Sequence, residues 1–243
     1  MAFIINEYKF GVYRGLMIVD PDKKHHIDIL PGCGALIARL ELFGLELVEP
    51  LESHGQLQGE HRFRNFWLMP FQNRIRDGHY AYQGKSYEVP VNEKERNNAL
   101  HGFFNELALK DIKWEVSDKK AEVRIWLDYH GKQAGYPFPF SVNIHYELST
   151  DGKVDLHYHV ENTGGGAMPF SFGWHPYFQL DGDRSTWQLQ CGPLLHHELD
   201  ERNLPTGVKR PFPGFDLATR PTTTLFNMRL HLIKSVCPLV YTN

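Results

Sequence analysis

The stretch "FSVNIHYELSTDGKVDLHYHV", Phe140 to Val160, decides the fold. Two strand-like runs, 140–148 and 153–160, flank Ser149-Thr150-Asp151-Gly152, and an Asp-Gly pair between such runs signals a tight β-hairpin. Just upstream, "EVRIWLDY" (122–129) alternates with a period of two. Val123, Ile125, Leu127 and Tyr129 point one way and Glu122, Arg124 and Asp128 the other, with Trp126 the exception on the polar side. "YAYQGKSYEV" (80–89) reads as a second hairpin around Gly84, and "ENTGGGA" (161–167) as a turn. Residues 35–48, "ALIARLELFGLELV", fit a helix through Leu36, Leu40, Phe43 and Leu47. They also fit two short strands broken at Gly44, and the surrounding strands favour that reading. No repeat, low-complexity tract or linker is visible, and Pro and Gly are spread along the chain. The expectation is an all-β chain, one large antiparallel β-sandwich spanning 1–243.

Composition narrows the function. The chain has 243 residues, enough for a sizeable core in one β domain, and 26 basic against 29 acidic residues leave a net charge of −3. Such a balance provides no domain-wide basic surface for nucleic acid. No run of 18 apolar residues suggests a membrane span, and "MAFIINEYKF" (1–10) lacks the basic and then apolar regions of a signal peptide. Cys33, Cys191 and Cys237 are far apart and odd in number, against a disulfide framework and against a structural zinc site. A reducing cytoplasm is the expected compartment, with no membrane and no nucleic-acid partner.

The glycine-rich pieces "PGCG" (31–34) and "GGG" (164–166) open no helix and carry no G-K-[ST], so tight turns explain them better than nucleotide binding. "HYH" (157–159) puts two imidazoles on one strand face, but the carboxylate and later histidine of a barrel metal site are not at matching spacings. His25–His26 and His196–His197 alternate faces and cannot chelate together, and no metal is expected. Arg62, Arg64, Arg74 and Arg76 are dense enough to suggest an anion-binding cluster. Arg62, Arg64 and Arg76 fit solvated edge charges better, whereas Arg74 follows the apolar run "FWLMPF" (66–71), where an exposed charge is awkward. "PFSFGWHPYF" (169–178) sets His175 among aromatic residues, and "NALHGF" (98–103) sets His101 in an apolar turn.

Five ordered pieces carry a resemblance: "MPFQNRIRDGHYAYQGKSYEVPVN" (69–92), "LHGF" (100–103), "GYPFPF" (135–140), "PFSFGWHPYF" (169–178) and "LPTG" (204–207). Together they are similar to the aldose 1-epimerase (galactose mutarotase-like) family. The resemblance implies a β-sandwich with a concave sugar-binding face and a cofactor-free isomerase that interconverts the α and β anomers of a free hexose. A related branch acts on hexose 6-phosphates. It implies that Arg74 and His101 hold sugar hydroxyls and that His175 is the general acid at the ring oxygen. Asn73, beside Arg74, is expected at the sugar too. Histidine trades protons near neutral pH, and Pro176 restricts the backbone of His175. Trp174, Tyr177 and Phe178 offer faces that exclude water and stack on a pyranose. The expected partner is a small sugar, with a homodimer as one possible assembly.

The pattern departs from the family at its end. The family's base is a glutamate near the C-terminus, with a substrate-binding aspartate upstream, yet no Asp or Glu follows Leu225. The aspartate position falls near Phe226–Asn227, and Asp216 corresponds to an earlier, non-catalytic place. The family's last strands are therefore expected to be missing or divergent, which opens a second reading: a non-catalytic carbohydrate-binding protein on the same scaffold. A glycoside hydrolase would need two facing carboxylates, and no convincing pair is present.

Overall fold

The computed structural model describes residues 3–58, 63–109, 111–179 and 194–212. The chain divides into two compact units, one of residues 1–180 and 196–210, the other of 181–195 and 211–243. Almost all of the second unit lies outside the described residues.

The first unit begins with a five-stranded antiparallel meander, β1 (Ile4–Phe10), β2 (Tyr13–Asp20), β3 (His25–Leu30), β4 (Leu36–Leu42) and β5 (Leu45–Glu46). Residues 35–48 are thus strands broken at Phe43–Gly44. Both residues have positive φ, 54° and 79°, which a helix cannot accommodate. Short strands follow: β6 (Trp67–Leu68), β7 (Ile75–Arg76), β8 (His79–Tyr82), β9 (Lys85–Glu88) and β10 (Asn98–Ala99). β8 and β9 form the hairpin expected around Gly84. The second large sheet is β11 (Asp111–Val116), β12 (Lys120–Tyr129), β13 (Phe140–Ser149) and β14 (Val154–Asn162), paired antiparallel in chain order. β13 and β14 pair from Phe140↔Asn162 to Leu148↔Val154, so the hairpin turns where the Asp-Gly signal placed it. β15 (Gly173–Trp174) pairs with β6, and β16 (Leu194–Leu199) with β17 (Pro205–Phe212).

One apolar cluster joins the two large sheets. Leu16, Ile18, Ile27, Ile29 and Ile37 of the first pack in it with Val123, Ile125, Val142, Ile144 and Tyr146 of the second. Burying each such side chain contributes about 1.5–3 kcal/mol, and period-two alternation puts these residues on one face. The fold is an antiparallel β-sandwich. A smaller cluster of Leu30, Leu36, Ala38, Leu51, Phe66 and Leu68 covers the other face of β4. Cys33 is a buried free thiol, while Cys191 and Cys237 lie outside the described residues. Among the described residues no helix is long and apolar enough to cross a membrane.

The 69–73 segment is fastened to the 101–104 turn. Met69 bridges Gly102, and the Met69 carbonyl accepts from the amides of Phe103 and Phe104, both at 3.2 Å. Gly102 has φ +71°, and a Cβ there would meet the Met69 carbonyl oxygen at 2.0 Å. Only glycine allows this approach. Gly102→Ala is expected to destabilise the fold by roughly 2–4 kcal/mol through strain and overpacking, read as a lower urea midpoint at an unchanged slope.

Candidate functional site

Asn65 is fully buried, with φ 60°, a left-handed conformation that asparagine tolerates better than most residues. Its amide donates to the His175 carbonyl at 2.9 Å, and its own carbonyl accepts from the Trp174 indole at 3.2 Å. Its side-chain Oδ1 accepts from the Tyr177 amide at 2.9 Å, and Nδ2 donates to the Glu49 carbonyl at 3.0 Å. The His175 amide donates to the Phe66 carbonyl at 3.0 Å, Ser171 to that of Pro70 at 2.6 Å, and Gln72 to the Ser171 hydroxyl at 3.0 Å. Residues 171–177 are thereby held along 65–72, and Glu49 binds the Tyr177 carbonyl at 2.7 Å from the other side.

This backbone aligns a row of rings. Phe63 meets His101 edge-on at 4.7 Å between centroids, His101 meets His175 at 5.3 Å, and His175 meets Tyr177 at 5.5 Å. His101 has φ 66°, a strained backbone for a histidine and a feature that concentrates at functional sites. Its Nδ1 lies 2.8 Å from the Gln72 carbonyl oxygen. A carbonyl only accepts, so in neutral His101 the proton is on Nδ1 and Nε2 carries the lone pair. Burial pushes the His175 pKa below its ordinary 6.5, because the imidazolium loses solvation it does not regain.

Asn73 and Arg74 follow Gln72, and the His101 amide donates to the Asn73 carbonyl at 3.4 Å. The Asn73 Oδ1 is buried and makes no hydrogen bond among the described residues. Arg74 forks onto Glu93, with Nε to Oε2 at 2.8 Å and Nη2 to Oε1 at 2.7 Å. Only 14% of the Arg74 side chain and 3% of the Glu93 side chain are exposed, as expected for a charge that follows an apolar run. Burial works against Glu93 ionisation, but hydrogen bonds from Arg74 and Asn98 outweigh it and leave the carboxyl below its usual range. Arg202 supports this loop through the carbonyls of Arg96 at 2.8 Å and Asn97 at 2.6 Å.

Two sequence expectations need revision or qualification. Arg64 is not a solvated edge charge. It is 7% exposed, paired with Glu49 at 3.1 Å and set over the Tyr177 ring at 5.5 Å. Arg76 is exposed and pairs with Asp200 at 2.6 Å, while Arg62 lies outside the described residues. The Trp174 indole, next along the strand from His175, stacks on Trp67 at 5.1 Å, outside the row of rings. Asp216 and the segment after Leu225 lie outside the described residues. Sequence reasoning missed Asn65 and Glu93. The one available signal was that a buried Arg74 requires a carboxylate.

The described residues form an all-β sandwich in which His101 and His175 pack ring to ring and Arg74, two residues after Gln72, is carboxylate-paired. The family model for aldose 1-epimerase matches residues 28–237, and the chain belongs to that family. It is 30% identical over 176 residues to the protein YihR of Escherichia coli, covering 71% of this chain and 54% of that one. With the galactose mutarotase of Rattus norvegicus it shares 28% over 151 residues, 60% of this chain and 42% of that one. The chain thus spans about half the length of the curated relatives it matches. A galactose mutarotase-like protein from Clostridium acetobutylicum shares the fold at a TM-score of 0.74 and 24% identity, with 86% of this chain and 64% of that one covered.

Two outcomes are expected from this geometry. Asn65→Ala removes the side-chain hydrogen bonds to the Tyr177 amide and the Glu49 carbonyl, for a loss of roughly 1–3 kcal/mol in chemical unfolding. For His175, the unfolded chain takes up a proton near 6.5 that the folded chain refuses. The stability from neutral His175 is therefore whole above 6.5 and declines as pH falls toward the lower folded value. Unfolding free energies measured across that window should slope less in His175→Gln than in the parent.

Proposed function

We propose that the chain binds a hexopyranose over the His101–His175 pair and interconverts its α and β anomers. A base removes the proton of the anomeric hydroxyl, the bond between C1 and the ring oxygen breaks, and His175 delivers a proton to that oxygen. Rotation about C1–C2 and reclosure give either anomer. The observation that carries this reading is the pair of imidazoles 5.3 Å apart, each fixed by hydrogen bonds to the 65–73 segment. A lowered pKa makes the His175 imidazolium a stronger acid toward a weakly basic ether oxygen, at the expense of its protonated fraction. His101, with its lone pair on Nε2, accepts a sugar hydroxyl proton in a hydrogen bond. Arg74, held by Glu93, donates to a second hydroxyl. Asn73 brings a buried acceptor, Oδ1, to the same segment.

The resemblance puts the family's base in a C-terminal glutamate, a position outside the described residues, and the second reading is sugar binding without exchange. A positioned acid or base contributes ~10²–10⁴-fold, so the two readings differ in the rate of anomer exchange. NMR exchange spectroscopy on glucose and galactose at equilibrium decides between the two. The parent should exceed the buffer rate, His175→Ala should fall about 10²-fold or to the buffer rate, and His101→Ala should raise KM. Equal rates for parent and His175→Ala would remove His175 as the acid. Saturable binding with only the buffer rate would select the second reading.

A further inference from the structure

The outward face of the second sheet carries a cluster that the sugar site does not use. His145 and Glu147 are two residues apart on β13 and share a face, and the register sets Glu122 of β12 directly opposite Glu147. Among the described residues, one ligand atom from each of Glu122, His145 and Glu147 can be chosen so that all lie within 4.8 Å of one another. The side chains are half-buried, 16%, 17% and 23% exposed. The His145 Nε2 is shielded from solvent and lacks a well-aligned hydrogen bond, although it stands 2.9 Å from the Glu122 Oε1. A positive charge already sits between the two carboxylates: the Lys120 ammonium lies 3.2 Å from Glu122 and 2.8 Å from Glu147. On the other side, His157 of β14 pairs in register with His145, its ring stacked at 5.7 Å.

We propose that Glu122, His145 and Glu147 form a binding site for a divalent transition metal of the zinc class, in which the ion replaces the Lys120 ammonium. One imidazole and two carboxylates suit a borderline ion, whereas calcium or magnesium would prefer an all-oxygen set. Ligands around tetrahedral zinc stand about 3.4 Å apart, given bonds near 2.1 Å. The cluster therefore has to contract, which side-chain rotation can achieve because Lys120, 41% exposed, is able to swing into solvent. His157 is adjacent and supplies a fourth ligand or orients His145. Two carboxylates flanking one ammonium leave the cluster one negative charge in excess if His145 is neutral. Arg124 offsets part of it, 3.6 Å from Glu122.

The competition between lysine and metal makes the proposal testable apart from any enzymatic activity. The 243-residue chain, freed of metal with a chelator, is titrated with zinc chloride by calorimetry, and with cobalt chloride by visible absorption for the coordination geometry. One equivalent of zinc is expected to bind, with the absorption of a tetrahedral nitrogen and oxygen set for cobalt. Glu147→Gln and His145→Ala should each weaken zinc at least tenfold, while Lys120→Gln should tighten it severalfold. Circular dichroism identifies any variant that fails to fold. If His145→Ala is one, Glu147→Gln and Lys120→Gln still decide the matter. No zinc uptake by either the parent or Lys120→Gln overturns the proposal. So does zinc affinity indifferent to Glu147→Gln and Lys120→Gln, which would put the ion elsewhere.

Discussion

Asn65 closes four hydrogen bonds from a single buried residue, two through its backbone and two through its side chain, and they reach Glu49, Trp174, His175 and Tyr177. That residue fixes the 171–177 segment, while His101 and Arg74 are set by Gln72 and Glu93. The segment 171–177 has only a two-residue strand of its own, too short to fix a side chain by ladder pairing alone. The asparagine extends the pairing past the strand end. It does so by adopting φ 60°, which turns its amide and its side chain toward the same neighbour. Asparagine accepts that backbone at lower cost than a β-branched residue, and its amide supplies one donor and one acceptor together. A leucine of similar volume would meet neither demand. His175 is consequently held by its main chain, and its ring is left to face His101 and Tyr177.

Charge at the site is handled by two opposite means. Arg74 and Glu93 keep their charges in a nearly dry environment because each satisfies the other through a fork. Burial alone would neutralise Glu93, but the hydrogen bonds outweigh it. Removing one partner of such a pair costs about 3–5 kcal/mol, since the survivor remains buried and unmatched. His175 has no carboxylate hydrogen-bonded to it among the described residues, so burial wins there and the imidazole stays neutral to lower pH. The arginine is thus a fixed cation, while the histidine is a group whose charge changes with its surroundings. Both properties come from what lies next to each side chain, 19 residues away in sequence for Arg74.

Sequence legibility followed contact range. The hairpins at 80–89 and 140–160, and the alternation in 122–129, were readable because turn chemistry and side-chain period act over a few residues. Residues 35–48 fitted a helix as well as two strands, and only the neighbouring strands favoured the break at Gly44 that the structure shows. Arg64 misled because "HRFR" has the rhythm of an edge strand, while its pairing with Glu49 and its stacking on Tyr177 are set by distant segments. Glu93 sits in "NEKERNN" (92–98), a run with the look of a solvated turn. Only the loop geometry, with Asn98 and Arg202 behind it, turns that carboxylate inward. Asn65 carried no local signal, since its partner His175 lies 110 residues on. "HYH" gives no sign of the cluster of Glu122, His145 and Glu147, which lies on the two preceding strands. The convergence arises across strands, from a register no single strand displays.

The two imidazoles need not share a role, and their environments argue that they do not. At 5.3 Å between ring centres, a positive charge on one raises the energy of a charge on the other. His101 has already committed Nδ1–H to the Gln72 carbonyl, which turns its remaining nitrogen into an acceptor. His175 has a half-buried ring and a main chain engaged at both its amide and its carbonyl, so its imidazole is the freer of the two to exchange a proton. In the proposed reaction this asymmetry assigns hydroxyl binding to His101 and ring-oxygen protonation to His175. A sugar seated over the pair would separate the rings from water, and the repulsion between two imidazolium ions would strengthen as the local dielectric fell. The same displacement of water therefore disfavours charging both rings at once, so the two histidines take different parts in the proposed reaction.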